Sequence, residues 1–215
     1  MKALAGLVAR DLRIAWAQGG AVLPLVFYLL VATLLPFAIG PDKILLARIG
    51  GGLLLTAALL AALLPVERLV APDLASGMID QCVVRGIGEE AIGVAKLIAH
   101  WIAFGPPLMI ATLPAAALLG LDGSTVARLE LGLALATPGL AALAVATAAL
   151  TAGLRGAGAL SGLVMLPLAI PLLIFGAGAL GDGGVGATKL LAATSLLLVA
   201  GAPFVAGAAL RAGRT

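Results

Sequence analysis

VERLVAPDLASGMIDQCVVRGIGEEAIG, residues 66–93, carries seven of the 23 acidic and basic side chains in this 215-residue chain (13 Lys and Arg, 10 Asp and Glu). They are Glu67, Arg68, Asp73, Asp80, Arg85, Glu89 and Glu90, and long apolar runs flank them on both sides. The chain is 62% hydrophobic and 11% charged, with a mean hydropathy of +1.20. A soluble domain carries about a quarter of its residues as charges. So few charges leave the bilayer as the solvent for most of this chain, as one membrane domain over residues 1–215. No room remains for a soluble catalytic domain.

Outward from that polar stretch, the apolar runs divide into six segments near or above the ~20 residues needed to cross a bilayer as helix. They cover approximately Ala21–Ile39, Ile44–Pro65, Ile92–Leu119, Val126–Leu154, Gly158–Leu180 and Lys189–Leu210. Gly40-Pro41-Asp42-Lys43, Leu121–Thr125, Arg155-Gly156 and Gly181-Asp182-Gly183-Gly184 read as turns between them, with Ser124 or Thr125 as a helix cap. The fold class is therefore all-α integral membrane protein with six transmembrane helices.

Residues 1–18 differ from the spans. Leu4, Leu7, Val8, Leu12 and Ala15 recur at helical spacing, while Lys2, Arg10, Asp11 and Arg13 fall on the other face and Trp16 suits an interfacial depth. This pattern predicts an interfacial amphipathic helix lying on the membrane; a cytosolic extension of the first span is the plainer alternative. One side of the membrane collects Lys2, Arg10, Arg13, Arg68, Arg85, Lys96, Arg155, Arg211 and Arg214. The other collects Lys43, Arg48, Arg128 and Lys189. The richer side is expected to be cytoplasmic, which puts both termini and the 66–91 stretch in the cytosol.

The spans exclude several function classes. No ionisable residue stands clearly at mid-depth, which argues against ion-coupled transport and intramembrane catalysis. A pore would show rings of charge, and Thr33, Thr56, Thr112, Thr137, Thr147 and Ser161 are scattered and suited to bonding their own helices. No G-x-x-x-x-G-K-[ST] occurs, so the chain cannot hydrolyse ATP alone. The single cysteine, Cys82, excludes an internal disulfide and any multi-cysteine metal site, and reads as a small apolar residue. The scattered basic residues argue against nucleic acid. Lys96, His100 and Trp101 read as an interfacial belt, with a haem-ligand role for His100 as the sharper alternative. Gly158-x-x-x-Gly162 matches a close-packing motif that a Gly-rich chain also meets by chance.

Any work done by such a domain draws energy from a partner, and residues 66–91 are the place to receive it. Pro72-Asp73 is expected to start a short helix with Asp73 near its cap, broken at Gly77 or Gly86. Asp73, Glu67 and Asp80 offer acceptors to a partner's Arg or Lys. A solvated connector is the plainer reading.

Five stretches carry a resemblance: ARDLRIAWAQGG (Ala9–Gly20), LPFAIGPD (Leu35–Asp42), DLASGMIDQ (Asp73–Gln81), AKLIAHW (Ala95–Trp101) and LPLAIPLLIFGAGAL (Leu166–Leu180). In this order, along nearly the whole chain, the sequence resembles the haem exporter protein B family. That family supplies the permease subunit of the cytochrome c maturation ABC transporter. Cys82–Glu90, CVVRGIGEE, departs from it in being more polar and lacking proline.

The resemblance implies an ABC-2-type permease-like fold in the bacterial inner membrane. It implies a separate ABC ATPase subunit that binds ATP, a haem-handling membrane subunit with its small helper, and a periplasmic haem chaperone. Haem is then the cargo, or ATP drives release of the loaded chaperone; this chain is non-catalytic and a homodimer is expected within the complex. The candidate residues are Asp73, Gly77, Met78, Asp80 and Gln81 for coupling to the ATPase, and Arg10, Asp11, Arg13 and Trp16 for the interfacial helix. His100 and Trp101 are candidates for haem or interface contact. The alternatives from other classes are an ABC exporter of a lipid, polymer or drug, and a non-transporting membrane scaffold.

Overall fold

The computed structural model describes residues 2–40, 42–154, 156–181 and 183–213. The predicted turn residues Pro41, Arg155 and Asp182, and the terminal Arg214, lie outside them. Among the described residues the chain is all helix and turn. In order these helices are α1 (Lys2–Ala17), α2 (Val22–Ile39), α3 (Lys43–Leu63), α4 (Val66–Ala75), α5 (Met78–Val84), α6 (Glu89–Leu118), α7 (Gly123–Thr151), α8 (Ala157–Ala179) and α9 (Val185–Ala212). Six helical segments are long and apolar enough to cross a membrane, as the apolar runs predict; α4 directly continues the second of them. At 1.5 Å per residue, the 30 residues of α6 span about 45 Å, beyond a hydrocarbon core of about 30 Å.

α7 is the central helix. It packs against α9, α6, α8, α4 and α3, and its segment Gly139–Val145 is buried throughout. Small side chains make this possible, because apolar helices in lipid associate through close packing rather than through exclusion of water. A Cβ at Gly139 would stand 2.9 Å from the Ser195 Oγ and 3.1 Å from the Ser195 Cα, so α7 and α9 meet nearly backbone to backbone. Gly158-x-x-x-Gly162 acts differently from the packing motif it matches. Gly158 lies directly against the Glu67 carboxylate of α4, and nothing stands within 4 Å of a Cβ at Gly162.

Prolines inside α2, α6, α7, α8 and α9 do not end those helices. Neighbouring helices and hydroxyl side chains tolerate such interruptions in membrane spans. Thr33, Thr56, Thr112 and Ser161 do bond back to carbonyls of their own helices. Thr112 also meets the buried Tyr28 hydroxyl at 2.8 Å, Thr137 accepts from Trp101, and Ser161 meets Thr151 at 2.8 Å. These hydroxyls therefore link helices as well.

Three local expectations change. Residues 66–84 are not a loop but two short helices, α4 and α5, hinged at Gly77, whose φ of 69° suits glycine. Gly86, at φ 80°, makes the turn after α5, so both proposed breakers fall at breaks. Asp73 is not at a helix start; it sits in the last turn of α4, because the helix already begins at Val66 after Pro65. The cap of α7 is Asp122, not Ser124 or Thr125: its carboxylate accepts from both of their amides and both of their hydroxyls. Asp122 is the residue with extended backbone just before the first turn, which is the position a cap requires.

Candidate functional site: a charged cluster under the first helix

α1 packs along the first half of α6, and a hydrophobic seam alone does not hold it there. Leu4, Leu7, Val8, Arg10, Asp11, Leu12, Ile14 and Ala15 are its half-buried positions, so the face turned to the protein includes a carboxylate and a guanidinium. Helical periodicity sorts Asp11 with the water-facing residues; the structure turns it inward because a cation waits there. Lys96, from the third turn of α6, is 5% exposed, and its ammonium donates to Asp73 and, at 3.3 Å, to Asp11. Arg10 donates to Asp11 at 2.8 Å and reaches both oxygens of Asp73, one of them at 3.2 Å. Two cations and two carboxylates thus tie α1, α4 and α6 at one point. The Asp73 hydrogen bond holds the Arg10 guanidinium still more firmly in its charged form.

This geometry places the candidate residues. Asp73 is buried and fully engaged within the chain, so its carboxylate is not offered to a partner's Arg or Lys. Asp80 and Gln81 are exposed on α5, and Met78 is half-buried beside the buried Cys82, its thioether 3.6 Å from that thiol. Val84, at the end of α5, is 86% exposed. Arg13 is exposed and Trp16 half exposed on α1.

Lys96, His100 and Trp101 do not form an interfacial belt. Lys96 and His100 face inward, one helical turn apart, because α1 covers that side of α6; Trp101 turns towards α7, donating to Thr137 Oγ1 at 3.2 Å. Among the described residues no three potential metal ligands come together.

Beneath the cluster lies a half-open cavity of about 300 Å³ between α1, α4 and α6. Arg10, Asp11, Arg68, Asp73, Lys96 and His100 contribute its polar wall, and Ile14, Leu69, Ala99, Ala103 and Phe104 its apolar one. The His100 ring stacks on Phe104, with centroids 5.8 Å apart, and its Nε2 is buried with no hydrogen-bond partner. A second tie closes the same end of the bundle. Arg211, in the last turn of α9, pairs with Glu90 and, at 3.7 Å, with Glu89 at the start of α6. Lys96 and Phe104 are the residues that linear reading misplaces or omits. Their signal was the spacing Lys96, His100, Phe104, which sets one face of α6 four residues apart.

The fold defines a multi-pass, all-α membrane protein with a charged helical cap at one end of its bundle. Residues 2–213 match the family described as CcmB protein, and the chain belongs to that family. It is 42% identical over 211 residues to heme exporter protein B of Rhodobacter capsulatus, covering 95% of this chain and 97% of that one. It is 40% identical over 220 residues to heme exporter protein B of Bradyrhizobium diazoefficiens, covering 99% of each chain. A relative of the same name from Escherichia coli is 40% identical over 207 residues, 94% of each chain.

Proposed function

We propose that this chain is the membrane permease subunit of a haem-export ABC transporter for cytochrome c biogenesis. It converts ATP hydrolysis on a partner subunit into haem movement or release of a haem-loaded periplasmic chaperone. The observation that carries this reading is the Arg10–Asp73–Lys96–Asp11 cluster. It fastens α4, and through it the exposed α5, to a membrane-spanning helix, so a push on α5 is delivered to α6 through paired charges in a buried setting. The names of the relatives supply the cargo class.

α4 and α5 are the coupling element for the ATPase, with Gly77 as their hinge and Asp80, Gln81 and Val84 as the docking face. The haem-handling membrane subunit, its small helper and the chaperone complete the assembly, with two copies of this chain across the centre. Both termini lie on the cytoplasmic face of the bacterial inner membrane. That orientation agrees with the described basic residues Arg10, Arg68, Arg85, Lys96 and Arg211, which the packing of α1 and α9 on α6, and the Asp73–Lys96 pair that ties α4 to it, gather at one end.

The test is co-purification with the ATPase subunit, comparing the intact protein with an Asp80→Lys, Val84→Asp variant. The variant is expected to insert normally, lose the ATPase and fail to support c-type cytochrome assembly. A variant that retains its partner, ATP turnover and cytochrome assembly refutes the coupling role of α5.

A further inference from the structure

The cavity under α1 has more cationic than anionic capacity. Within the cluster, Arg10 and Lys96 are matched by Asp11 and Asp73. Arg68 stands at the same cavity, on α4, and its one hydrogen bond goes to the Gln18 carbonyl at 3.2 Å. No carboxylate among the described residues pairs with it. The surplus is a single positive charge, which suits a singly charged phosphodiester better than a doubly charged phosphate ester.

Deeper in, His100 leaves a ring nitrogen unbonded in a buried position, where an unmet polar atom is costly. A half-turn about its Cβ–Cγ bond keeps the stack on Phe104 and exchanges nitrogen and carbon positions, so either edge can face the cavity. The remaining wall, from Ile14, Ala103 and Phe104, is apolar. The volume holds a headgroup and its first chain carbons, at about 30 Å³ per water-sized unit, but not a whole lipid. The cavity is open on one side, so the acyl chains need not fit within it.

We propose that this cavity is a binding site for one phospholipid, its phosphodiester at Arg68, its glycerol ester region within reach of His100, and its first acyl carbons along Ile14 and Phe104. The lipid then wedges α1 against α4 and α6 beside the charged cluster. This site does not depend on which cargo the assembly moves.

Native mass spectrometry of the intact protein, released from phosphatidylglycerol nanodiscs, tests it. One retained phospholipid per chain is expected. Arg68→Gln is expected to weaken binding of dihexanoyl phosphatidylglycerol about tenfold, the loss of one charge-assisted contact. Ala15→Phe, which fills the cavity from α1 and removes no charge, is expected to abolish it. Arg85→Gln, on the turn beyond α5, is the control that leaves it unchanged.

Inorganic phosphate is the competitor in the unmodified protein: failure to displace the lipid supports an amphiphile site, while displacement, or a phosphate adduct without lipid, overturns it in favour of a free-anion site. No retained lipid in the unmodified protein, or equal retention in Arg68→Gln and Ala15→Phe, also overturns it.

Discussion

Removing Asp73 should loosen the joint between the helical cap and the bundle. Its side chain is 12% exposed and that of Lys96 5%, whereas Arg10 keeps 35% of its side-chain surface in solvent. Deleting one member of a buried ion pair costs about 3–5 kcal/mol, because the partner charge is left in a poor dielectric. Two features reduce that figure. Asp11 remains 2.8 Å from Arg10 and 3.3 Å from Lys96, and the Arg10 end is partly screened by water. Asp73→Ala is therefore expected to destabilise the protein by about 2–3 kcal/mol.

The double variant Asp73→Leu, Lys96→Leu leaves Arg10 paired with Asp11 and no charge orphaned. It should recover most of that loss, because buried pairs replaced by apolar groups of similar size are often neutral in stability. Reversible unfolding by SDS in bicelles measures both variants and the two single leucine variants as a double-mutant cycle, with an expected coupling of about 1–3 kcal/mol. Single variants within about 0.5 kcal/mol of the parent, with strictly additive effects, would refute a cluster that joins α1, α4 and α6.

The other predictions concern packing, capping and orientation. Gly139→Ala should cost about 1–3 kcal/mol, since the added carbon meets the Ser195 backbone, whereas Gly162→Ala should stay within about 0.5 kcal/mol; thermal unfolding in detergent separates them. The Asp122 carboxyl is held well below the usual carboxylate range, first by the Ser124 hydroxyl and then by the Thr125 amide and hydroxyl. Its folded pKa is depressed, so its stabilisation is present above the ordinary carboxylate range and fades as pH falls towards the folded value. The melting-temperature gap between the parent and Asp122→Ala should accordingly be constant near neutrality and close on acidification. For orientation, Arg13→Cys and Val84→Cys should react with an impermeant maleimide only in inverted vesicles, and Ser124→Cys only in right-side-out ones; the buried Cys82 contributes little background. Labelling of Arg13→Cys from the outside would overturn the proposed topology.

Much of the architecture is legible in the linear chain because membrane insertion depends on local composition. Runs of about twenty apolar residues must be helical in lipid to satisfy their own backbone, so the number of spans and their approximate ends follow from counting. The break at Gly77 was legible for a similar reason, since a left-handed backbone favours glycine. The tertiary structure alone decided which polar groups meet. Asp11 looked water-facing because periodicity describes a helix in isolation; α6 presents Lys96 to it across 85 residues of sequence. Asp73 looked available to a partner, yet it is 63 residues from Arg10 and bonded to it. Helical spacing fixes a side chain's direction about its own axis, while charge pairing in a low-dielectric setting depends on distances between helices, which only their packing brings within reach.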